Sequence, residues 1–165
     1  MLSSRIRIGS IGLMGLALVL GLASLAWAQA ATVLVDDDDA KFTGEWTQSA
    51  ALGWFHGRGY HGDGNAAKGE KSARYEATLP QAGKYEVRVS YSARGNRANN
   101  VPVTITHADG DAKVTVDQQK KPEIDGRFQS LGTFSFGTQA VVVISNEGTD
   151  GHVIADAVQF VPAGN

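Results

Sequence analysis

Apolar and polar residues alternate in the middle of the chain, between residues 83 and 110. Tyr85, Val87, Val89 and Tyr91 fall on one face, and polar residues fall on the other. A period of two over eight residues predicts a half-buried strand. The alternation returns over residues 101–106, and Asp109-Gly110 predicts a tight turn into a further strand at 113–117. We therefore expect a central hairpin whose two strands are joined by a polar loop at residues 94–100.

Runs of β-branched and aromatic residues predict the other strands of the chain. They are expected at residues 32–36, 42–49, 72–79, 128–136, 140–145 and 152–161, with a glycine-rich loop at 50–69. The VVVI run at 141–144 is expected to be buried on both faces. Twenty glycines and few segments of helical period indicate many turns and strands. The pattern therefore predicts an all-β, antiparallel β-sandwich.

The first 28 residues predict a helical secretory signal peptide. Arg5 and Arg7 precede an uncharged apolar run at residues 11–25, and AWA at 26–28 ends it with small residues at the cleavage positions. The alternative is a membrane anchor, but the run is shorter than the roughly 20 residues that span a bilayer. We expect cleavage after Ala28, a single domain at residues 29–165, no membrane span in the mature chain and a secreted or periplasmic location.

Composition narrows the possible classes of partner and of covalent chemistry. The chain has no cysteine, which excludes disulfides and a lipid-modified N-terminal cysteine. Loss of Arg5 and Arg7 with the signal peptide moves the net charge from −2 to −4. An acidic chain without a basic block is a poor match for the phosphate backbone. We expect no nucleic-acid partner.

Four consecutive carboxylates, at residues 36–39, follow the first predicted strand. They are either a solvated strand end or part of a cation site built from oxygen ligands. Asp156 lies on the last predicted strand among large apolar residues, where a buried charge is costly unless it is paired or metal-bound. If the first and last strands pair antiparallel, Asp156 meets the acidic run. The candidate metal ligands are Asp36, Asp38 and Asp156, with Ca²⁺ as the candidate ion and Arg97 as the alternative counter-charge.

Two polar or aromatic loops are candidate ligand-binding segments. Trp54 and Tyr60 lie among glycines and either form a platform for sugar rings or fold back to cap the core. Asn96, Arg97 and Asn99 lie in the 94–100 loop. They either line a polar ligand site, pair with the acidic run, or belong to a solvated loop.

Motifs of known enzyme classes are weak or missing. GRGYHG at residues 57–62 has the spacing of a dinucleotide-binding loop, but no βαβ unit surrounds it. Asp63-Gly64-Asn65 resembles the start of a calcium-binding loop, but Arg74 stands where the terminal glutamate is required. An enzyme would need an acid and a base to converge, for example Asp156 with His107 or His152. We expect no catalytic site.

The mature chain resembles the golvesin C-terminal-like family, also described as a xanthan-lyase-associated carbohydrate-binding-like domain. The resemblance implies a jelly-roll, galactose-binding-like β-sandwich of a kind usually attached to secreted enzymes. The matching blocks, in the family's order, are F-x-G-x-W at 42–46, AGKYEV at 82–87, NRA-x-NVPV at 96–103, THADG at 106–110, VDQ at 116–118, SLGTF at 130–134 and ADAV at 155–158.

Together these features predict a secreted, non-catalytic module that binds a polysaccharide or a cell-surface glycan. The alternative is a structural or adhesion module of the cell envelope that binds protein or itself. An exposed aromatic platform or a polar cleft favours the first class, and a flat apolar patch favours the second.

Overall fold

A computed structural model describes residues 31–51 and 53–164, so the predicted signal peptide lies outside the described residues. Within these ranges the strands pair antiparallel in three sheets, and the all-β sandwich is confirmed. The described part contains no helix with the length and apolar character needed to cross a bilayer. The strands are β1 Val33–Val35, β2 Lys41–Thr43, β3 Thr47–Ser49, β4 Tyr60–Gly62, β5 Ser72–Thr78, β6 Gly83–Ser90, β7 Val101–His107, β8 Gly110–Val116, β9 Phe128–Phe136, β10 Gln139–Ser145, β11 Ile154–Ala155 and β12 Val158–Pro162.

Two larger sheets form the layers of the sandwich, and a small third sheet covers one end. The first has the order β1-β12-β6-β9, the second β2-β5-β10-β7-β8, and the third β11-β4-β3. Alternate residues of β5, β6, β7 and β10 are buried, as a strand with one face on the core requires. The core between the layers holds large side chains such as Tyr75, Tyr85, Ile105, Ile144 and Phe160, each less than 2% exposed.

The central hairpin predicted for residues 83–110 is wrong, although both of its strands exist. β6 pairs with β9 and β12, whereas β7 pairs with β8 and β10, so the two strands lie in different sheets. The 94–100 segment therefore crosses between the layers. Alternation shows that each strand has one buried face, but it does not show whether they share a sheet or face each other across the core.

Four other predictions are corrected by local geometry. The predicted strand at 42–49 is divided into β2 and β3 at Gly44, whose φ of 75° ends an extended run. The 50–69 segment contains β4, which pairs with both β3 and β11. The last predicted strand is divided at Asp156-Ala157, where the backbone carbonyl of Ala157 accepts the amide of Ser90 at 2.8 Å. In the VVVI run, Val141 and Val143 are partly exposed, so only one face is buried.

A buried polar hub holds the loop after β4 to the ends of β5 and β10. The Asp63 carboxylate is fully buried and accepts the amides of Asn65 and Val153 and the ammonium of Lys68, at 2.8–3.0 Å. Asn146 donates to the same carboxylate, and its own carbonyl oxygen accepts two loop amides. Burial alone would raise the pKa of Asp63, but these donors outweigh it and hold the pKa below its usual range.

We expect Asp63→Asn to destabilise the fold by about 3 kcal/mol at pH 7, because the amide places N–H donors against Lys68 and Asn146. Since the folded-state pKa of Asp63 is lowered, its stabilisation is complete above the unfolded-state pKa and is lost as the pH falls through the folded-state pKa. The gap between wild type and variant should therefore shrink in acid. Urea unfolding between pH 7 and pH 3 measures it.

The exposed Asp111→Asn in β8 is the matched control and should change stability little at any pH. A gap between wild type and Asp63→Asn that stays constant down to pH 3 would contradict an ionised Asp63.

Candidate functional site

Three carboxylates meet where the first and last strands of the sandwich lie side by side. β1 pairs antiparallel with β12, with Val35 opposite Val158. The residues that follow β1 therefore lie beside those that precede β12. Asp36, Asp37 and Asp156 each place one carboxylate oxygen within 4.8 Å of the others. The expected meeting of the acidic run with Asp156 is thus found in the structure.

A short 3-10 turn decides which members of the acidic run face inward. Asp36 caps the turn Asp37–Asp39 by accepting the Asp37 amide on Oδ1 at 2.9 Å. The turn directs Asp37 inward, where it is 1% exposed, and leaves Asp38 at the surface in an ion pair of 2.9 Å with Arg58. The strand alternation that would place Asp36 and Asp38 on one side ends at Asp36. The cluster therefore contains Asp37 in place of Asp38.

The cluster is buried and poor in positive charge. Asp156 accepts the Ser90 hydroxyl and, at 3.0 Å, the amide of His56, while His61 Nδ1 lies 2.6 Å from Asp37 Oδ2. Burial raises the pKa of Asp156 to about 7, and burial together with the Asp36 carboxylate raises the pKa of Asp37 well above its usual range. Burial also lowers the pKa of His61, which disfavours a positive charge on its ring.

Arg97 was the expected counter-charge, and this expectation is wrong. Its guanidinium donates to the backbone carbonyl of Ser92 and to Asn96, and it lies 6.0 Å from the Tyr60 ring. Among the described residues, no lysine or arginine forms a salt bridge with any of the three clustered carboxylates. The repulsion between them is therefore not relieved by a basic side chain.

The glycine-rich loop after β3 packs closely against the carboxylate cluster. Gly57 has a φ of 59°, and a Cβ atom at this position would lie 2.1 Å from Asp36 Oδ2. Gly53, with a φ of 77°, approaches so closely that its Cβ would lie 2.9 Å from the Ser92 Cβ. Both glycines are required because each combines a left-handed backbone with close packing. They fix the segment that carries Trp54.

Next to this loop lies a cavity of about 560 Å³ that combines an aromatic side chain with polar ones. Trp54 forms part of its wall, with the Arg127 guanidinium 4.9 Å from the indole centroid and the Phe128 ring packed at 5.8 Å. The Ser92 hydroxyl is buried and has no hydrogen-bond partner among the described residues. The lining residues are Gly53, Trp54, Tyr91, Ser92, Ala93, Gln119, Lys121, Pro122, Asp125, Gly126 and Arg127.

The other predicted ligand-binding residues lie outside this cavity. Tyr60 is 4% exposed and packs in the core, so it is not part of an exposed platform with Trp54. Arg97 is buried behind Ser92, while Asn96 and Asn99 are exposed on the crossover. Whether any of these residues binds a ligand stays a prediction.

The sequence matches the family model of the golvesin C-terminal domain over residues 33–162. It belongs to the golvesin C-terminal domain family. This confirms the family expected from the resemblance of the sequence, and the match runs from β1 to the end of β12.

Two comparisons place this golvesin C-terminal domain beside parts of larger enzymes. It is 38% identical over 141 residues to a xanthan lyase of Bacillus sp. (strain GL1), covering 81% of this chain and 15% of the lyase. The structure of Paenibacillus xanthan lyase superposes with a TM-score of 0.76 at 38% identity, covering 81% of this chain and 13% of that chain. The chain thus spans only a small part of the relatives that it matches.

A distant structural neighbour supports the jelly-roll fold of this golvesin C-terminal domain. A family 35 carbohydrate-binding module from Clostridium thermocellum superposes with a TM-score of 0.56, covering 81% of this chain and 100% of that chain. The sequence identity is 11%, so this likeness concerns the fold alone.

Sequence reasoning identified Trp54 but missed the other residues of the cavity wall, among them Ser92 and Arg127, and it missed Asp37 in the carboxylate cluster. Asp37 lies within the acidic run, but its inward direction depends on the 3-10 turn. Ser92 was placed on the polar face of its predicted strand, yet it is 3% exposed. The alternation ends with β6, because Ser90, Tyr91 and Ser92 are all buried, and no sequence signal distinguishes a buried serine there from an exposed one.

We expect Gly57→Ala to destabilise the fold more than Gly148→Ala does. Both glycines have a similar positive φ, of 59° and 63°, and an alanine there costs about 1 kcal/mol through the backbone alone. Only the Gly57 methyl would collide with Asp36, because a Cβ at Gly148 meets nothing within 4 Å. Urea unfolding of both variants measures the difference, and equal losses would show that the loop does not press on the cluster.

Proposed function

We infer that this golvesin C-terminal domain is a non-catalytic carbohydrate-binding module that holds a polysaccharide in the Trp54 cavity. The observation that carries the inference is the pairing of an indole ring with the unpartnered hydroxyl of Ser92 in one cavity. The two side chains match the two chemical faces of a sugar.

A sugar ring presents C–H groups on its faces and hydroxyls around its edge. The C–H faces pack against an aromatic surface such as Trp54. A buried hydroxyl without a partner is costly, so a sugar hydroxyl that hydrogen-bonds to Ser92 would remove that cost. Gln119, Lys121 and Asp125 add donors and acceptors around the cavity. Apolar walls with a few convergent polar groups are typical of small-ligand sites.

The relatives support the ligand class without identifying the glycan. The named activity of the lyase relative concerns xanthan, and several structural neighbours with a similar fold are carbohydrate-active enzymes or carbohydrate-binding modules. Xanthan is therefore the first polysaccharide to test. The signal-peptide pattern of residues 1–28 supports a module that works outside the cytoplasm.

The hydrogen-bond partners of Asp156 in the carboxylate cluster favour a binding role over a catalytic one. The hydrogen bonds to the Asp156 carboxylate come from Ser90 and the His56 backbone, and neither His107 nor His152 is among these donors. His107 instead packs against Phe134 and lies near Asp109 at the β7–β8 turn. Among the described residues, neither acid and base pair considered for an enzyme is therefore joined by a hydrogen bond.

We expect Trp54→Ala to weaken polysaccharide binding by about 30-fold, equivalent to about 2 kcal/mol, because it removes the packing surface. Affinity electrophoresis in xanthan and a glycan array would measure binding, with isothermal titration for the best ligand. Trp46→Ala is the matched control, because Trp46 packs on Phe42 and does not line the cavity. It should leave affinity unchanged.

Ser92→Ala should separate binding from stability. Removing a buried hydroxyl that has no partner leaves the free protein equally or more stable, whereas loss of the sugar hydrogen bond lowers affinity about 5-fold. Glycan binding that is unaffected by both cavity variants would reject the Trp54 cavity. No binding to any glycan would favour the envelope adhesion role.

A further inference from the structure

The carboxylate cluster contains an acceptor that nothing in the described protein satisfies. Asp37 is 1% exposed, and one of its oxygens, Oδ2, is paired with His61. The other oxygen, Oδ1, is buried and contacts no hydrogen-bond donor among the described residues. A buried carboxylate oxygen without a partner is rare in folded proteins, and it indicates a missing ion or water.

A single bound water does not resolve the electrostatics of the cluster. Oxygens of Asp36, Asp37 and Asp156 lie within 4.8 Å of one another, and among the described residues no lysine or arginine pairs with any of them. A water would satisfy Oδ1, but it would bring no positive charge to a buried cluster of three acidic groups. A cation satisfies the acceptor and reduces the repulsion together.

The donor set selects the class of cation. All three groups are carboxylates, and hard oxygen ligands favour Ca²⁺ or Mg²⁺ over metals that prefer nitrogen or sulfur. Ca²⁺ accepts about six to eight oxygens in an irregular arrangement, while Mg²⁺ requires a near-ideal octahedron. Two of the carboxylates lie on the 3-10 turn and its cap, and the third lies between β11 and β12. Such an irregular arrangement suits the more flexible ion.

We propose that Asp36, Asp37 and Asp156 bind a structural Ca²⁺ ion that joins the first and last strands and fixes the loop carrying Trp54. Asp37 contributes Oδ1, while its Oδ2 keeps the bond to His61. Asp36 Oδ2 faces the ion beside Gly57, and the His56 amide on Asp156 ties the same loop to the site. Waters and backbone carbonyls complete the ligand set. The ion does not depend on the ligand of the Trp54 cavity.

The test is the thermal unfolding midpoint of the purified protein, stripped with chelator and then titrated with Ca²⁺. We expect about 1 mM Ca²⁺ to raise the midpoint by about 5 °C, because an ion that binds only the folded state stabilises it. Isothermal titration should give one site per chain. Mg²⁺ at the same concentration should give a clearly smaller shift, and an equal shift would contradict the assignment to Ca²⁺.

Matched substitutions within the acidic run locate the site. Asp37→Asn should abolish the Ca²⁺ shift while leaving the chelated protein at least as stable as wild type, because the amide carries no charge that has to be buried. Asp38→Asn is the control, since Asp38 belongs to the same run but pairs with Arg58 at the surface, and it should keep the full shift. If the Asp37→Asn variant does not fold, the Asp36→Asn variant is tested in its place, because Asp36 is only half-buried.

Two results would overturn the proposal. One is a wild-type midpoint that Ca²⁺ does not change. The other is a Ca²⁺ shift that survives in Asp37→Asn or Asp36→Asn. Both readouts are independent of glycan binding, so a failed glycan assay would leave the proposed ion untouched, and a failed Ca²⁺ titration would leave the Trp54 cavity untouched.

Discussion

The antiparallel pairing of β1 with β12 is the constraint on which the rest of this structure depends. It brings the two ends of the folded chain together within one sheet, beside β6. The same register places the acidic run next to Asp156, and the buried hydroxyl of Tyr75 in the opposite layer donates to the Asp156 carbonyl at 3.0 Å. The pairing thus sets the position of the charged cluster, and the Tyr75 hydrogen bond ties this position to the opposite layer.

Much of the fold was predictable because strands with one buried face carry a strong period-two signal. This signal predicted five of the strands closely, namely β5, β6, β7, β9 and β10. The partners of these strands were not predictable from alternation, since β6 and β7 present the same pattern while lying in different sheets. Short strands such as β4 and β11 have too few residues for a period and depend on tertiary contacts.

The candidate sites were only partly predictable, for the same physical reasons. The meeting of Asp156 with the acidic run followed from an inward carboxylate on a strand, but the choice of Asp37 required the 3-10 turn. Trp54 was identified by its loop, whereas Ser92 and Arg127 come from distant segments that the fold assembles. Arg97 was misassigned because a long side chain can reach several partners, and here it bonds to nearby backbone.

The direction of β6 has a consequence for how this domain can be joined to other polypeptides. The strand begins beside the end of β12, where Lys84 accepts the amide of Ala163, and it ends just before Ser92 at the cavity. Eight residues of strand span about 26 Å. A tether leading into β1 or out of β12 would therefore leave from the pole opposite the Trp54 cavity. A neighbouring enzyme could be carried there without covering the cavity mouth.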